Sequence, residues 1–229
     1  MKAIILAAGI GSRLEESKPK CLTLLASGMS ILEHQLSALT LHLPFDQIVV
    51  ILGYHKEEIL GKFPHLHFLE NPLYASENTS KSLLRGLEEC QDDDLLWLNG
   101  DVLFHPSVIG TILAKKRNSM LVNVGSVGEE EVKYRKDTQG CILEVSKTVS
   151  PAQGEALGIN FWTKEDLGRL RRNLERCAAQ DYFEKGIQYC IEEGLKVWAV
   201  PVNQELCTEI DFPEDLEKAN QLLQSWKRE

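Results

Sequence analysis

The sequence predicts an α/β fold, a mostly parallel open sheet carrying a small antiparallel insertion. Two patterns and one bound lead there. Short Ile/Val/Leu runs alternate with helix-length amphipathic stretches through the first half, the signature of βαβ units. From residue 120 the pattern changes to short strands joined by turns. The chain has 229 residues, 43% hydrophobic and 26% charged, which suits one well-buried domain over 1–229 and is short for two.

In chain order, residues 2–6 (KAIIL) read as a short buried parallel strand. Residues 7–20 form a loop rich in Gly, Ser and charge. Ser30 starts a helix to about residue 41, with Glu33 at the reciprocal capping-box position. Residues 47–52 are a second strand, 55–60 a short helix and 65–69 a third strand. A loop over 71–78 leads into a helix over 79–90. The fourth strand, 95–98, ends on Asn99-Gly100-Asp101. Residues 106–116 are helical, with Pro106 in the first turn. Strands follow at 120–125, 132–135, 142–147 and 157–162, with a turn at 137–140. Helices at 164–178 and 182–193, a strand at 196–200 and a closing helix at 213–226 complete the chain. The stretch 120–162 is the expected insertion.

Composition excludes several classes. The formal charge of −9 makes a polyanionic nucleic acid a poor partner. Cys21, Cys90, Cys141, Cys177, Cys190 and Cys207 include no CxxC pair, which argues against zinc or thioredoxin-like chemistry and for reduced thiols in a cytoplasmic protein. The apolar run after Lys2 ends at Gly9, too short for a signal segment or a membrane span. The oligomeric state is left open.

Chemistry concentrates in a few segments. Leu6-Ala7-Ala8-Gly9-Ile10-Gly11-Ser12-Arg13-Leu14, followed by Lys18-Pro19-Lys20, opens a strand into a loop whose small residues let backbone N–H groups approach a nucleotide. Arg13 and Lys20 add charge for phosphate oxygens. The segment lacks the Gly-Lys-Ser/Thr of a P-loop and the third glycine of GxGxxG, so by itself it also suits a tight strand exit. Asp101 stands at the carboxyl end of a central strand, where open α/β sheets bind ligands; a turn aspartate is the plainer reading. Asn71, Tyr74 and Asn78 converge at a strand-to-helix junction, where Asn78 also suits an N-cap. In Glu209-Ile210-Asp211-Phe212-Pro213-Glu214-Asp215-Leu216, Glu214 and Asp215 suit the first turn of a helix.

Together, MKAIILAAGIGSRL and KPKCL resemble the start of the nucleotidyltransferase superfamily that activates sugar phosphates and alcohol phosphates. The pattern N-x-x-Y-x-x-x-N-x-x-x-S over 71–82 resembles its phosphocholine, inositol-phosphate and aminoethylphosphonate cytidylyltransferase branch. The resemblance runs from Met1 to about residue 220 and implies a Rossmann-like sheet. It implies nucleotide contacts from Leu6, Ala7, Ala8, Gly9, Gly11, Asn71, Asn78 and Ser82, and catalytic roles for Arg13 and Lys20. Asp101 and Asp211 match the family's Mg²⁺ aspartates. Ser146-Lys147 and Gly154-Glu155 resemble further family segments, which places Lys147 and Glu155 with Tyr74, Asp181 and Tyr182 on the acceptor side, over the 120–162 insertion. Asp181, Tyr182 and Glu184 form an acidic-aromatic segment that equally suits a helix cap; Lys147 and Glu155 equally suit a solvated surface. Trp162 fits either a cation-binding wall or the core.

The implied reaction joins CTP, or another NTP, to a small phosphate or phosphonate acceptor, phosphocholine-like by preference, with loss of pyrophosphate. The alternatives are a sugar-1-phosphate, inositol-1-phosphate or molybdenum-cofactor nucleotidyltransferase, and a non-catalytic nucleotide-sensing protein on the same scaffold.

Overall fold

The structure is a computed structural model and describes residues 1–11, 14, 18–90, 92–125 and 127–227. Eleven strands are described: β1 (Lys2–Ala7), β2 (Ile48–Leu52), β3 (Phe68–Glu70), β4 (Leu95–Asn99), β5 (Val102–Phe104), β6 (Ser119–Val122), β7 (Lys133–Lys136), β8 (Ile142–Ser146), β9 (Gly154–Trp162), β10 (Trp198–Pro201) and β11 (Cys207–Glu209). Seven α-helices accompany them: α1 (Ile31–Leu39), α2 (Lys56–Lys62), α3 (Thr79–Gly86), α4 (Ser107–Leu113), α5 (Lys164–Arg176), α6 (Phe183–Glu192) and α7 (Pro213–Trp226).

The main sheet runs β10-β6-β9-β4-β1-β2-β3. β1 pairs in parallel with both β2 and β4, and β10 with β6, while β9 lies antiparallel between β4 and β6. The chain walks outward from β1 through β2 to β3, then returns to lay β4 on the other side of β1. That reversal opens a crevice at the carboxyl ends of β1 and β4. Of the stretch 120–162, β6 and most of β9 are main-sheet strands. The β7–β8 hairpin lies off the main strand path; β7 joins the start of β9, pairing Lys133 with Glu155 and Tyr134 with Gly154, and the start of β8 meets the β10 edge, where the Ile142 N–H donates to the Val197 carbonyl at 2.7 Å.

Side-chain alternation sorts each central strand between two layers. Ala3, Ile5, Val50, Leu52, Leu96 and Leu98 face a core covered by α1, α2 and α4. Ile4, Leu6, Val49, Ile51, Leu95 and Trp97 face a second core under α3, α5 and α6. A third cluster packs Ala219 and Leu223 of α7 on Ile31, Leu103 and Ile210. Ser30 caps α1 with the expected box: its Oγ accepts from the Glu33 N–H and Glu33 Oε2 accepts from the Ser30 N–H at 2.6 Å.

β5 and β11 were not expected. They form a separate antiparallel pair, Glu209 opposite Val102 and Cys207 opposite Phe104. Beyond the last pair the Ile210 N–H donates to the Asp101 carbonyl at 3.0 Å. This short ladder therefore brings the turn after β4 against the entrance to α7, two segments about a hundred residues apart in sequence. Among the described residues no helix is long and apolar enough to cross a membrane.

Candidate active site

A cleft of about 800 Å³ opens over the carboxyl ends of β1 and β4. Its floor is the glycine loop. The Gly100 N–H donates to the Leu6 carbonyl at 2.8 Å, and the Tyr54 N–H to the Ala8 carbonyl at 3.1 Å. Gly11 sits at φ 63°, and a Cβ there would lie 2.8 Å from Lys20 Cβ. A non-glycine residue would strain the backbone and push Lys20 away. Gly53 is fixed by contact instead: a Cβ would lie 2.6 Å from Tyr74 Cβ and 2.7 Å from the Ala8 carbonyl. The loop after β1 and the loop after β3 therefore close on each other over a bare backbone.

Lys20 joins the two aspartates. Its Nζ donates to Asp101 Oδ2 at 2.7 Å and to Asp211 Oδ1. Burial pulls its pKa down, but Asp101 and Asp211 outweigh that pull and hold it above the ordinary lysine value. Three supports set this geometry. Gln35 of α1 is fully buried, and its Nε2 donates to the Asn99 and Val102 carbonyls at 2.9 and 2.8 Å, clamping the turn that carries Asp101. The β5–β11 ladder brings Asp211 alongside. Asp215 then turns back from the first turn of α7, its Oδ2 accepting from the Asp211 and Phe212 N–H groups at 3.0 and 2.9 Å. Asp101 Oδ1 is buried and has no hydrogen-bond partner among the described residues.

The acidic character continues inward. Glu209 lines the cleft, and burial, then Asp101, Glu155, Asp211 and Glu184, raise its carboxyl well above the usual range. Glu155 is pushed up to about 7, first by burial and then by Glu131, against the opposing pull of a 2.8 Å hydrogen bond from Asn123 Nδ2. Among the described lining residues nine are Asp or Glu and three are Lys, so a bound ligand must bring or recruit positive charge. Cys21 and Cys207 also line the cleft, but burial drives the first thiol up to about 12 and the second well above its ordinary value. Neither is a thiolate nucleophile at neutral pH.

Of the residues singled out in the sequence, Leu6, Ala7, Gly9, Gly11, Lys20, Tyr74, Asn78, Asp101, Lys147, Glu155, Tyr182 and Asp211 line this cleft. Arg13 lies outside the described residues. Four others, Ala8, Asn71, Ser82 and Asp181, are not among the lining residues. Ala8 is buried and meets Tyr54 through its carbonyl. Asn71 and Ser82 are buried and bonded to each other at 3.1 Å, while Asn71 Oδ1 accepts from the Leu73 N–H at 3.0 Å. They brace the loop after β3 against α3. Asp181 turns away to accept from the Ala178 N–H at 2.8 Å.

Asn78 caps α3, its Oδ1 accepting from the Thr79 N–H at 2.8 Å, and also lines the cleft. Trp162 belongs to the core, 5.3 Å from Trp97 between ring centroids. Lys147 stands 4.9 Å from the Tyr182 ring centroid and 3.6 Å from Glu130. The sequence reading passed over Gln35, Asn123 and Glu209 as site-forming residues. Only Glu209 carried a signal, being part of the segment that contains Asp211.

A family model for the MobA-like NTP transferase domain matches residues 3–180. Among relatives, CMP-5'-(3-aminopropyl)phosphonate synthase of Streptomyces rubellomurinus (strain ATCC 31215) is 27% identical over 249 residues, covering 96% of this chain and 38% of the relative. The chain thus spans well under half the length of that protein. CTP:phosphoglutamine cytidylyltransferase of Campylobacter jejuni subsp. jejuni serotype O:2 is 26% identical over 253 residues, covering 95% of this chain and 98% of the relative. In fold, CTP:phosphocholine cytidylyltransferase from Streptococcus pneumoniae superposes with a TM-score of 0.79 at 21% identity, covering 97% of this chain and 98% of the other. With its model matched over most of the sequence, this chain belongs to the MobA-like NTP transferase family.

Proposed function

We propose that the protein is a CTP-dependent cytidylyltransferase that activates a small phosphate or phosphonate acceptor with a cationic head, releasing pyrophosphate. The observation that carries this reading is the convergence of Asp101, Asp211 and Lys20 beside the glycine loop, at the carboxyl edge of β1 and β4. An acceptor oxygen, already ionised at neutral pH, attacks the α-phosphorus in line; the bond to the β-phosphate oxygen breaks and pyrophosphate leaves. No general base is required, so the protein's task is positioning and charge neutralisation. Lys20, with Arg13 by resemblance, faces the triphosphate. Lys147 supplies the cation for the acceptor phosphate.

Asp101 and Asp211 are the residues that would hold Mg²⁺. Two carboxylates suit an ion that binds through one or two such groups and leaves its other positions to phosphate and water. The buried, unpartnered Oδ1 of Asp101 fits that role. When bound, the ion supplies charge stabilisation to the phosphoryl group. The choice of CTP draws support from the activities named for the two relatives. The excess of carboxylates in the cleft supports a cationic acceptor over a second polyanion.

The test is pyrophosphate release with each of four NTPs and Mg²⁺ against choline phosphate, ethanolamine phosphate, aminoethylphosphonate, inositol phosphate and sugar 1-phosphates. Turnover confined to CTP with an amine- or ammonium-headed acceptor is the expected result. Turnover confined to UTP or GTP with sugar phosphates overturns it. NTP binding without turnover of any acceptor returns the non-catalytic reading.

A further inference from the structure

The segment over 71–82 is used only in part by the site above. Asn71 and Ser82 bond to each other, and Asn78 caps α3. The residues from Ser76 to Lys81 carry a further set of bonds that run to the corner between α5 and α6. Thr79 Oγ1 accepts from the Phe183 N–H at 3.1 Å. The Asn78 N–H donates to the Ala179 carbonyl at 2.8 Å, and the Ser80 N–H to the Asp181 carbonyl at 3.3 Å. Gln180 Nε2 donates to the Ser76 carbonyl at 2.7 Å. Lys81 Nζ donates to the Leu174 and Glu175 carbonyls at 3.0 and 3.2 Å.

Helix ends leave N–H groups and carbonyls without partners inside the helix. Here each helix end is completed by a different element. α6 begins after Tyr182, whose side chain makes no capping bond among the described residues. Phe183 is buried, and its N–H is satisfied by the Thr79 hydroxyl of α3. α3 in turn gives its first N–H groups to carbonyls of the turn that leads into α6. Lys81 sets an ammonium on the last carbonyls of α5, where the helix dipole favours a cation. The start of α3 thus holds one helix by its carboxyl end and the next by its amino end. The N–H groups of Asn78, Thr79 and Ser80 are all engaged in this arrangement, which leaves none of them free for a phosphate.

We propose that Thr79 is a positioning residue for the reaction: by capping α6 from α3 it fixes the cleft wall that carries Tyr182 and Glu184 against the wall that carries Tyr74 and Asn78. This rests on the transferase reading. All four of those residues line the cleft, and they stand on two segments about a hundred residues apart in sequence. The Gln180 bond to Ser76 is exposed, where water competes for both groups and the net gain is small. The Thr79 bond is partly buried, and water cannot replace it without movement of the helix. When the hydroxyl is lost, the Phe183 N–H must find solvent. The first turn of α6 then opens or swings outward and takes Tyr182 with it.

The experiment compares wild type with Thr79→Val, which keeps the shape and removes the hydroxyl, and Thr79→Ser, which keeps the hydroxyl; Thr79→Ala serves if the valine variant fails to fold. Amide hydrogen exchange of the nucleotide-free protein reads the cap directly. The Phe183 N–H should be protected in wild type and Thr79→Ser, and should exchange about threefold to thirtyfold faster in Thr79→Val, the range spanned by loss of one helix cap. In CTP-dependent pyrophosphate release with choline phosphate and ethanolamine phosphate, Thr79→Val should raise the acceptor KM by a similar factor, with little change in kcat or in KM for CTP, and Thr79→Ser should restore it. Repeated in a Tyr182→Ala background, the KM effect should shrink, because the wall that Thr79 positions is already gone. Equal Phe183 exchange in wild type and Thr79→Val, or an unchanged acceptor KM, overturns the positioning role and leaves the transferase reading standing. A KM effect undiminished in Tyr182→Ala does the same and makes Thr79 a direct substrate contact. Absence of pyrophosphate release from every acceptor overturns the transferase reading and the positioning role with it, whatever the exchange shows.

Discussion

Glu184→Gln changes stability in a pH-dependent way whose sign is fixed by burial. The carboxyl rises from 4.5 to about 7 in the folded protein. Between those values the folded state holds a proton that the unfolded state has lost. Raising the pH through this window therefore destabilises the wild type, by about 3 kcal/mol once both states are ionised, since each pKa unit is worth about 1.4 kcal/mol. With 6% exposure, solvent screening removes little of this. Glutamine keeps the shape and carries no such proton. The assay is urea or thermal unfolding of both proteins at pH 4.5 and pH 8.5 without ligand. The stability difference should shift in favour of the variant by about 3 kcal/mol from the lower to the higher pH, or roughly 6–12 °C in Tm for a chain of this size. Any constant cost of burying the amide cancels in that comparison, as does titration of Glu155, which both proteins share; loss of Glu184's push on the Glu209 carboxyl adds to the shift in the same direction. Parallel profiles would refute the reasoning and show that Glu184 is solvated or paired in solution.

Three further outcomes follow from the same geometry. Lys20→Met removes the ammonium shared by Asp101 and Asp211; turnover should fall by roughly 10²–10³-fold, while Mn²⁺ affinity of the nucleotide-free protein, read by electron paramagnetic resonance, should rise as the aspartates lose their competing cation. Unchanged Mn²⁺ affinity would count against Asp101 and Asp211 as a metal pair. Gly53→Ala places a methyl 2.6 Å from Tyr74 Cβ and 2.7 Å from the Ala8 carbonyl, so the two loops must part; a stability loss of about 1–3 kcal/mol with a higher KM for NTP is expected, and wild-type values for both would show that the loops yield freely. Gln35→Leu leaves the Asn99 and Val102 carbonyls without their buried donor and should cost about 2–4 kcal/mol in urea unfolding, with turnover reduced because the Asp101 turn is loosened; retention of both would remove Gln35 from the positioning of Asp101.

Much of the fold was legible because its signals are local. The Ser30 and Glu33 box announced α1, the proline of Phe212-Pro213 announced α7, and unbroken apolar runs marked the central strands. β5 and β11 were not legible. Each has three residues, and each is stabilised by the other from across the chain, so neither carries a period or a turn of its own. The site divided in the same way. Lys20, Asp101 and Asp211 stand in segments whose resemblance is strong. Asn71 and Ser82 belong to an equally recognisable pattern, yet they bond to each other, because a polar residue that braces a loop looks the same in sequence as one that meets a ligand. Asp181 and Glu184 lie three positions apart at one helix entrance. A loop hydrogen bond from the Ala178 N–H holds Asp181, and position in the first turn of α6 sends Glu184 to the cleft; residue type alone does not separate them.

The Asp101–Asp211 pair shows how far the architecture goes to hold like charges together. A buried glutamine clamps one aspartate's turn, a two-stranded ladder delivers the other, and Asp215 fastens the backbone that carries it. None of these devices neutralises the pair; Lys20 does. Yet Lys20 comes from the glycine loop, the segment that faces a nucleotide in the proposed reaction. A triphosphate entering the cleft competes with the aspartates for that ammonium. Drawing Lys20 toward phosphate leaves two carboxylates facing each other, which is the condition under which a divalent cation binds best. Nucleotide and metal affinity are then coupled through one side chain, and thermodynamic reciprocity requires each to strengthen the other by the same factor.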